Sequence, residues 1–291
     1  MNKVPVTIIT GYLGSGKTTL LRNIASESQI KIAILMNEFG EIGIDSKVIK
    51  GKNIQMAELS GGCVCCSLSG EFEAAMGEIL EKVKPSWIIV ETTGVAEPST
   101  LASSVVDNIE GVKLDAIITV VDLDSLVRFP KLGHTGIEQI EMADLLVLNK
   151  KDLVSEEKLV EIKGKISKIN SRAKIIETHF CKIPGELIFG IERKEIVKKS
   201  KKHKIESEYF SLIPKKMQYE RLVSIYTKEL PKINEVYRSK GFVKTEKGNF
   251  LVNYVAQRAT FEKFDEEEAG LVFIGANIIK DQKKIEKMFE L

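Results

Sequence analysis

The stretch VPVTIITGYLGSGKTTLLRNIASES, residues 4–28, leaves this chain little choice of fold. A β-branched apolar run ends in a glycine-rich turn and passes at once into a helical pattern. Gly11, Gly16, Lys17 and Thr18 satisfy the spacing G-x-x-x-x-G-K-S/T. Such a turn works only between a strand and a helix. Its backbone N–H groups converge on phosphate oxygens, and the helix behind it adds its positive end. Gly11, Gly14 and Gly16 let the backbone curl inward. Lys17 places a cation on the β- and γ-phosphates, the Thr18 hydroxyl can ligate Mg²⁺, and Ser15 and Thr19 complete the candidate phosphate contacts.

Further apolar, β-branched runs occur at 31–36, 86–91, 115–122, 144–149 and 173–178. They read as buried strands of a parallel sheet. Helical patterns alternate with them. Phe72, Met76, Ile79 and Val83 share one helix face; Leu159, Ile162, Ile166 and Ile169 share another, with Ser155 as its N-cap. Alternating strands and helices predict an α/β fold, a doubly wound and mostly parallel sheet.

The pattern changes near residue 190. The basic run ERKEIVKKSKKHK (192–204) reads as a solvated linker. Beyond it come the strand-like ESEYFSLI, a helical stretch over 217–239, the runs GFVKTE, NFLVNYVAQRATFEKF and LVFIGANI, and a closing helix. These predict a smaller α+β domain. The expected boundaries are 1–190 for the phosphate-loop domain, 191–205 for the linker and 206–291 for the second domain.

Net charge is +2, from 43 basic and 41 acidic residues, which gives no case for nucleic acid as a partner. No apolar run reaches membrane-spanning length. The N-terminal run leads into the glycine loop and reads as a strand, not a signal peptide. The expected location is the cytoplasm, where thiols stay reduced and clustered cysteines serve as metal ligands or reactive groups.

Three more segments carry chemistry. LLVLNKKD ends a strand with Asn149, Lys150 and Asp152, an N-K-x-D arrangement. The Asp152 carboxylate can accept two N–H bonds from a guanine edge, Asn149 can hold the loop and base, and the Lys150 stem can cover the ring. VETTGVAEP (90–98) places Glu91 at a strand end, near the Mg²⁺ shell, and Gly94 where its N–H can meet a γ-phosphate. A loop with that contact loses it on hydrolysis and so acts as a switch. NEFGEIGID (37–45) follows the second strand and supplies Glu38, Glu41 and Asp45, candidates with Glu91 for orienting the attacking water.

The order of GYLGSGKTTLL, NEFGEIGID, GGCVCC, ETTGVAEP and LNKKDLV resembles the CobW-type GTPases, phosphate-loop metallochaperones and metal-insertion factors. YRSKGFV (237–243) and LVFIGANI resemble the small C-terminal domain of that family. The resemblance implies GTP and Mg²⁺ as ligands and a client metalloprotein or cofactor-assembly protein as partner. A nucleotide-dependent homodimer is one arrangement it leaves open.

The cysteines Cys63, Cys65 and Cys66 are the family's C-x-C-C mark. Three thiolates so close together can hold one soft or borderline ion, and zinc and cobalt both suit them. Three ligands leave one position for Glu38, water or a donor from a partner, which suits a site that must release its metal. The fourth cysteine, Cys181, reads as inert. The family's histidine-rich metal-gathering stretch is missing. His134, His179 and His203 stand apart and read as surface or packing residues, so metal loading is expected to rest on the cysteines. The expected function is a slow GTPase that delivers a divalent metal. The alternative is a metal buffer or regulatory protein that uses GTP as a conformational ligand. A small-molecule kinase would explain the phosphate loop but neither the N-K-x-D nor the cysteines.

Overall fold

The computed structural model describes residues 3–28, 30–37, 54–59, 69–94, 96–193, 208–233, 235–255, 257–263, 269–275 and 278–290. Glu38, Glu41, Asp45, Cys63, Cys65, Cys66 and His203 lie outside them. Two compact units divide the chain, one built on a parallel sheet and the other on an antiparallel one.

The first unit holds strands β1 (Val4–Thr10), β2 (Ile32–Asn37), β3 (Ile54–Leu59), β4 (Trp87–Glu91), β5 (Val112–Asp122), β6 (Leu145–Asn149) and β7 (Lys174–Glu177). All pair in parallel, in the order β3-β2-β4-β1-β5-β6-β7. The predicted doubly wound sheet is present, with the phosphate-loop strand β1 at its centre. Helices α1 (Lys17–Glu27), α2 (Ser69–Glu78, continued by a wide turn to Val83), α3 (Pro98–Asp107), α4 (Leu123–Arg128), α5 (His134–Glu141) and α6 (Glu156–Ile169) connect the strands. Side chains pack on both faces. Ile9, Leu20, Ile24, Ile34 and Ile118 belong to one buried cluster, and Ile8, Leu35, Phe72, Met76 and Leu101 to another. This two-sided burial explains why the strands read as continuous apolar runs.

The helix faces follow the sequence. Leu159, Ile162 and Ile166 of α6 are buried, each stabilising by roughly 1.5–3 kcal/mol. Ser155 Oγ accepts the Lys158 N–H at 3.4 Å and caps the helix start. Strand β3 was not expected. Among the described residues it pairs with β2 alone, and in its sequence IQMAEL the apolar run is broken by Gln55 and Glu58.

The second unit holds β8 (Glu208–Leu212), β9 (Val236–Thr245), β10 (Gly248–Val255), β11 (Arg258–Lys263) and β12 (Gly270–Gly275), antiparallel in the order β11-β10-β9-β12-β8. Helices α7 (Tyr219–Ser224) and α8 (Gln282–Met288) accompany the sheet, and Tyr226, Tyr254, Phe273 and Phe289 fill its core. The helical stretch expected over 217–239 is shorter. It ends in a tight turn at Leu230–Lys232, and Val236–Ser239 already pair in β9. Pro231, which lacks an N–H, sits where the helix stops.

The start of the expected linker is held to the first unit. Buried Asp115 on β5 accepts the N–H groups of Gly190, Ile191 and Glu192 at 3.1–3.3 Å. Arg193 meets Asp144 Oδ2 at 2.6 Å.

Candidate functional site

The chemistry gathers at the carboxyl ends of the parallel strands, where open α/β sheets bind ligands. Thr10 ends β1, Glu91 ends β4, Asp122 ends β5 and Asn149 ends β6. Between β1 and α1 the glycine loop turns through left-handed backbone: φ is +139° at Gly11, +74° at Gly14 and +115° at Gly16. A Cβ on Gly11 would sit 2.2 Å from the Val120 carbonyl oxygen, and one on Gly16 would sit 2.5 Å from Asn149 Nδ2. Only glycine fits either place, in conformation and in space. Lys17 is buried, and its Nζ donates to the carbonyls of Gly11 at 2.9 Å and Tyr12 at 3.5 Å. Ser15 Oγ is buried without a hydrogen-bond partner among the described residues. An orphaned hydroxyl inside a ring of glycines is the signature of a cradle shaped for a polar ligand. Thr18 and Thr19 open α1 and are half-buried.

The N-K-x-D turn is fastened to this loop. Asn149 Nδ2 donates to the Ser15 carbonyl at 2.8 Å, and Asn149 Oδ1 accepts the Cys181 N–H at 3.0 Å. Lys150 takes φ +63°, and its Nζ meets Asp122 Oδ2 at 2.5 Å. Asp122 also caps α4 by accepting the Ser125 N–H at 3.0 Å. Asp152 is exposed on the short turn Lys151–Leu153. Behind it Lys151 and Lys163 both bond Glu177, at 2.7 and 2.6 Å, and hold that carboxyl below its ordinary range.

One part of this wall was missed in the sequence, the turn Thr178–Lys182. Phe180 and Cys181 both adopt left-handed backbone, φ +51° and +50°, which side chains other than glycine rarely take. The turn is held from outside: Asn23 Nδ2 donates to the carbonyls of Phe180 at 3.0 Å and Cys181 at 2.8 Å. Cys181 is not exposed at all, and its Sγ lies 3.4 Å from the Gly16 carbonyl. Burial pushes its thiol up to about 12, so at neutral pH it stays protonated and unreactive.

The segment after β4 packs on the other side of the loop. A Cβ on Gly94 would fall 2.6 Å from the Leu13 backbone nitrogen, so the Gly94 backbone lies directly against the glycine loop. Thr92 Oγ1 bonds Thr10 Oγ1 at 2.9 Å. Gln139 of α5 donates through Nε2 to the carbonyls of Gly94 and Ala96, both at 3.3 Å, and Thr119 Oγ1 donates to the Gln139 carbonyl at 2.5 Å. Glu91 is buried at the end of β4, beside Ile9 of β1 in register. The structure thus gathers Gly11, Ser15, Gly16, Lys17, Gly94 and Asn149. Glu38, Cys63, Cys65 and Cys66 lie outside the described residues.

Comparisons with known proteins agree with this geometry. Residues 5–177 match the CobW/HypB/UreG nucleotide-binding domain, and residues 213–290 match the cobalamin synthesis protein cobW C-terminal domain. The chain is 32% identical over 242 residues to the zinc chaperone CobW of a Sinorhizobium species, covering 71% of this chain and 68% of that protein. It is 40% identical over 195 residues to the zinc-regulated GTPase metalloprotein activator 1 of Schizosaccharomyces pombe, covering 63% of this chain and 47% of that protein. Among solved structures it resembles the zinc-bound YjiA GTPase of Escherichia coli, with TM-score 0.53, 22% identity and coverage of 100% of this chain and 99% of that one. At that identity the likeness concerns the fold alone.

Proposed function

The chain belongs to the CobW/HypB/UreG family of nucleotide-binding proteins, and on that premise we propose that it hydrolyses GTP and couples the cycle to delivery of a divalent metal ion. The observation that carries the reading is the fastening of the phosphate loop to the N-K-x-D turn through Asn149 and the Ser15 carbonyl. In this reading one side chain ties the phosphate-binding and base-binding segments together.

Lys17 now bonds carbonyls of its own loop. In this reading a triphosphate takes over its ammonium group and accepts from backbone N–H groups of the glycine loop and the start of α1. Asp152 accepts from the guanine edge. Thr18 and Glu91 offer hard oxygen donors, the set that Mg²⁺ prefers, and the ion would neutralise phosphate charge there. Gly94 reports the γ-phosphate, since its backbone already touches Leu13 of the loop. Glu38 and Glu91 are the candidates for positioning water. The cargo ion goes to Cys63, Cys65 and Cys66, with Glu38 as candidate fourth donor. Two relatives are named for zinc, which favours zinc over cobalt. The second unit, 206–291, presents or recognises the client metalloprotein. A cytoplasmic location and a nucleotide-dependent homodimer complete the proposal. Among the described residues no helix is long and apolar enough to cross a membrane.

The test is single-turnover hydrolysis of GTP with and without Zn²⁺. Phosphate release that is slow alone and changes with the metal supports the reading. Tight GTP binding with no hydrolysis under either condition replaces it with the conformational-ligand alternative.

A further inference from the structure

Outside the nucleotide site, the fold brings together three side chains that are far apart in sequence. Glu97 immediately precedes α3, and His134 and Glu138 lie four residues apart on α5, where that spacing places them on one face. One ligand atom from each lies within 4.8 Å of the others. His134 Nδ1 is 3.6 Å from Glu97 Oε1. Around a tetrahedral ion with bonds of about 2.1 Å, neighbouring donor atoms sit about 3.4 Å apart. The cluster therefore needs only a small closure to reach bonding geometry.

A second observation points to a ligand. Glu138 is 8% exposed. Its Oε1 accepts the Ser99 hydroxyl at 2.5 Å and the Ser99 N–H at 3.4 Å. Its Oε2 is buried with no hydrogen-bond partner among the described residues. Ser99 therefore fixes one oxygen and leaves the other to be satisfied by something else. Glu97 is 5% exposed, so the second carboxylate of the cluster is also largely shielded from solvent. The His134 side chain is 60% exposed, which gives an ion a way in from solvent and an open side for water.

We propose that Glu97, His134 and Glu138 form a second metal site, separate from the cysteines, for a borderline divalent ion of the zinc class. One imidazole and two carboxylates make a nitrogen–oxygen set, so the ion is not the soft-thiolate kind that C-x-C-C prefers. Ser99 holds Glu138 as an outer-shell partner. The site also has a mechanical role. Glu97 lies three residues beyond Gly94, and Gln139, next to Glu138, already bonds the carbonyls of Gly94 and Ala96. A bound ion clamps the same loop to α5 a second time.

The experiment uses the full chain, without nucleotide, carrying Cys63→Ser, Cys65→Ser and Cys66→Ser, and titrates it with Co²⁺ read by visible absorption. The expected result is one bound equivalent showing ligand-field bands with no thiolate charge transfer, displaced by Zn²⁺ but not by Mg²⁺. Adding His134→Ala, His134→Asn or Glu138→Gln should weaken Co²⁺ binding by more than about tenfold. Circular dichroism should show the metal-free fold kept in His134→Asn and Glu138→Gln, because Asn stays polar beside Glu97 and Gln can still accept from Ser99. Absence of Co²⁺ binding in the triple-serine chain, or unchanged affinity in the His134 and Glu138 variants, overturns the site. Displacement by Mg²⁺ at comparable concentration overturns the assignment to the zinc class.

Discussion

Asn149 bridges two loops that sequence keeps far apart: its Nδ2 donates to the Ser15 carbonyl and its Oδ1 accepts the Cys181 N–H. Both bonds involve buried groups. Asn149→Ala should cost about 1–3 kcal/mol for each group left unsatisfied. Urea unfolding should show a lower midpoint with an unchanged slope, and GTP binding should weaken in parallel. A variant as stable as the parent would show that the bridge does not hold the wall together.

Asp152 is the opposite case, exposed and outside the core. Asp152→Ala should leave stability within about 0.5 kcal/mol of the parent. It should reduce GTP affinity by about 1.5–3 kcal/mol, the range for hydrogen bonds to a charged group, while ATP affinity stays as it was. Competition binding with both nucleotides checks the selectivity directly. Equal binding of GTP and ATP by the unaltered chain would remove the carboxylate's assigned role.

Gly94 tests the contact between the segment after β4 and the phosphate loop. A methyl group there meets Leu13 nitrogen at 2.6 Å and the Leu13 side chain at 2.7–2.8 Å. Gly94→Ala should destabilise by about 1–3 kcal/mol through overpacking and weaken triphosphate binding more than diphosphate binding. Gly164→Ala in α6 is the control. A methyl there meets nothing within 4 Å, and helix propensity alone should stabilise by up to about 1 kcal/mol.

Cys181 gives a pH signature. Its folded thiol is raised from 9.0 to about 12, chiefly by burial. Between those values the unfolded chain loses the proton and the folded chain keeps it, so stability falls as pH rises. The contribution is complete below about pH 9 and lost by about pH 12, with a size on the order of 4 kcal/mol. Cys181→Ala should flatten the denaturation midpoint between pH 9 and 11. In peptide mapping after iodoacetamide treatment of the native protein at pH 8, Cys181 should stay unmodified.

Much of the site was legible because phosphate and base recognition need particular residues at fixed spacing. Gly11, Lys17, Asn149 and Asp152 announce themselves within single short segments. The Thr178–Lys182 turn does not, since its hydrogen bonds to Asn23 and Asn149 are made by its backbone, which any sequence supplies. His134 looked isolated because its neighbours in sequence include no second strong ligand close by except Glu138, and only the fold adds Glu97. Strand β3 is less legible because Gln55 and Glu58 break its apolar run. The helix over 217–239 was drawn too long because the apolar spacing continues past Pro231 into β9.

The strand order sets a distance as well as a topology. From β3 to β6, which carries Asn149, there are five steps across the sheet. At about 4.8 Å per step the two strands stand roughly 24 Å apart, with β1 and the loop it leads into between them. That is well beyond the range of about 7–10 Å over which substitutions couple, so effects on stability at the two strands should simply add. Either end of the sheet can then change without the other having to change with it.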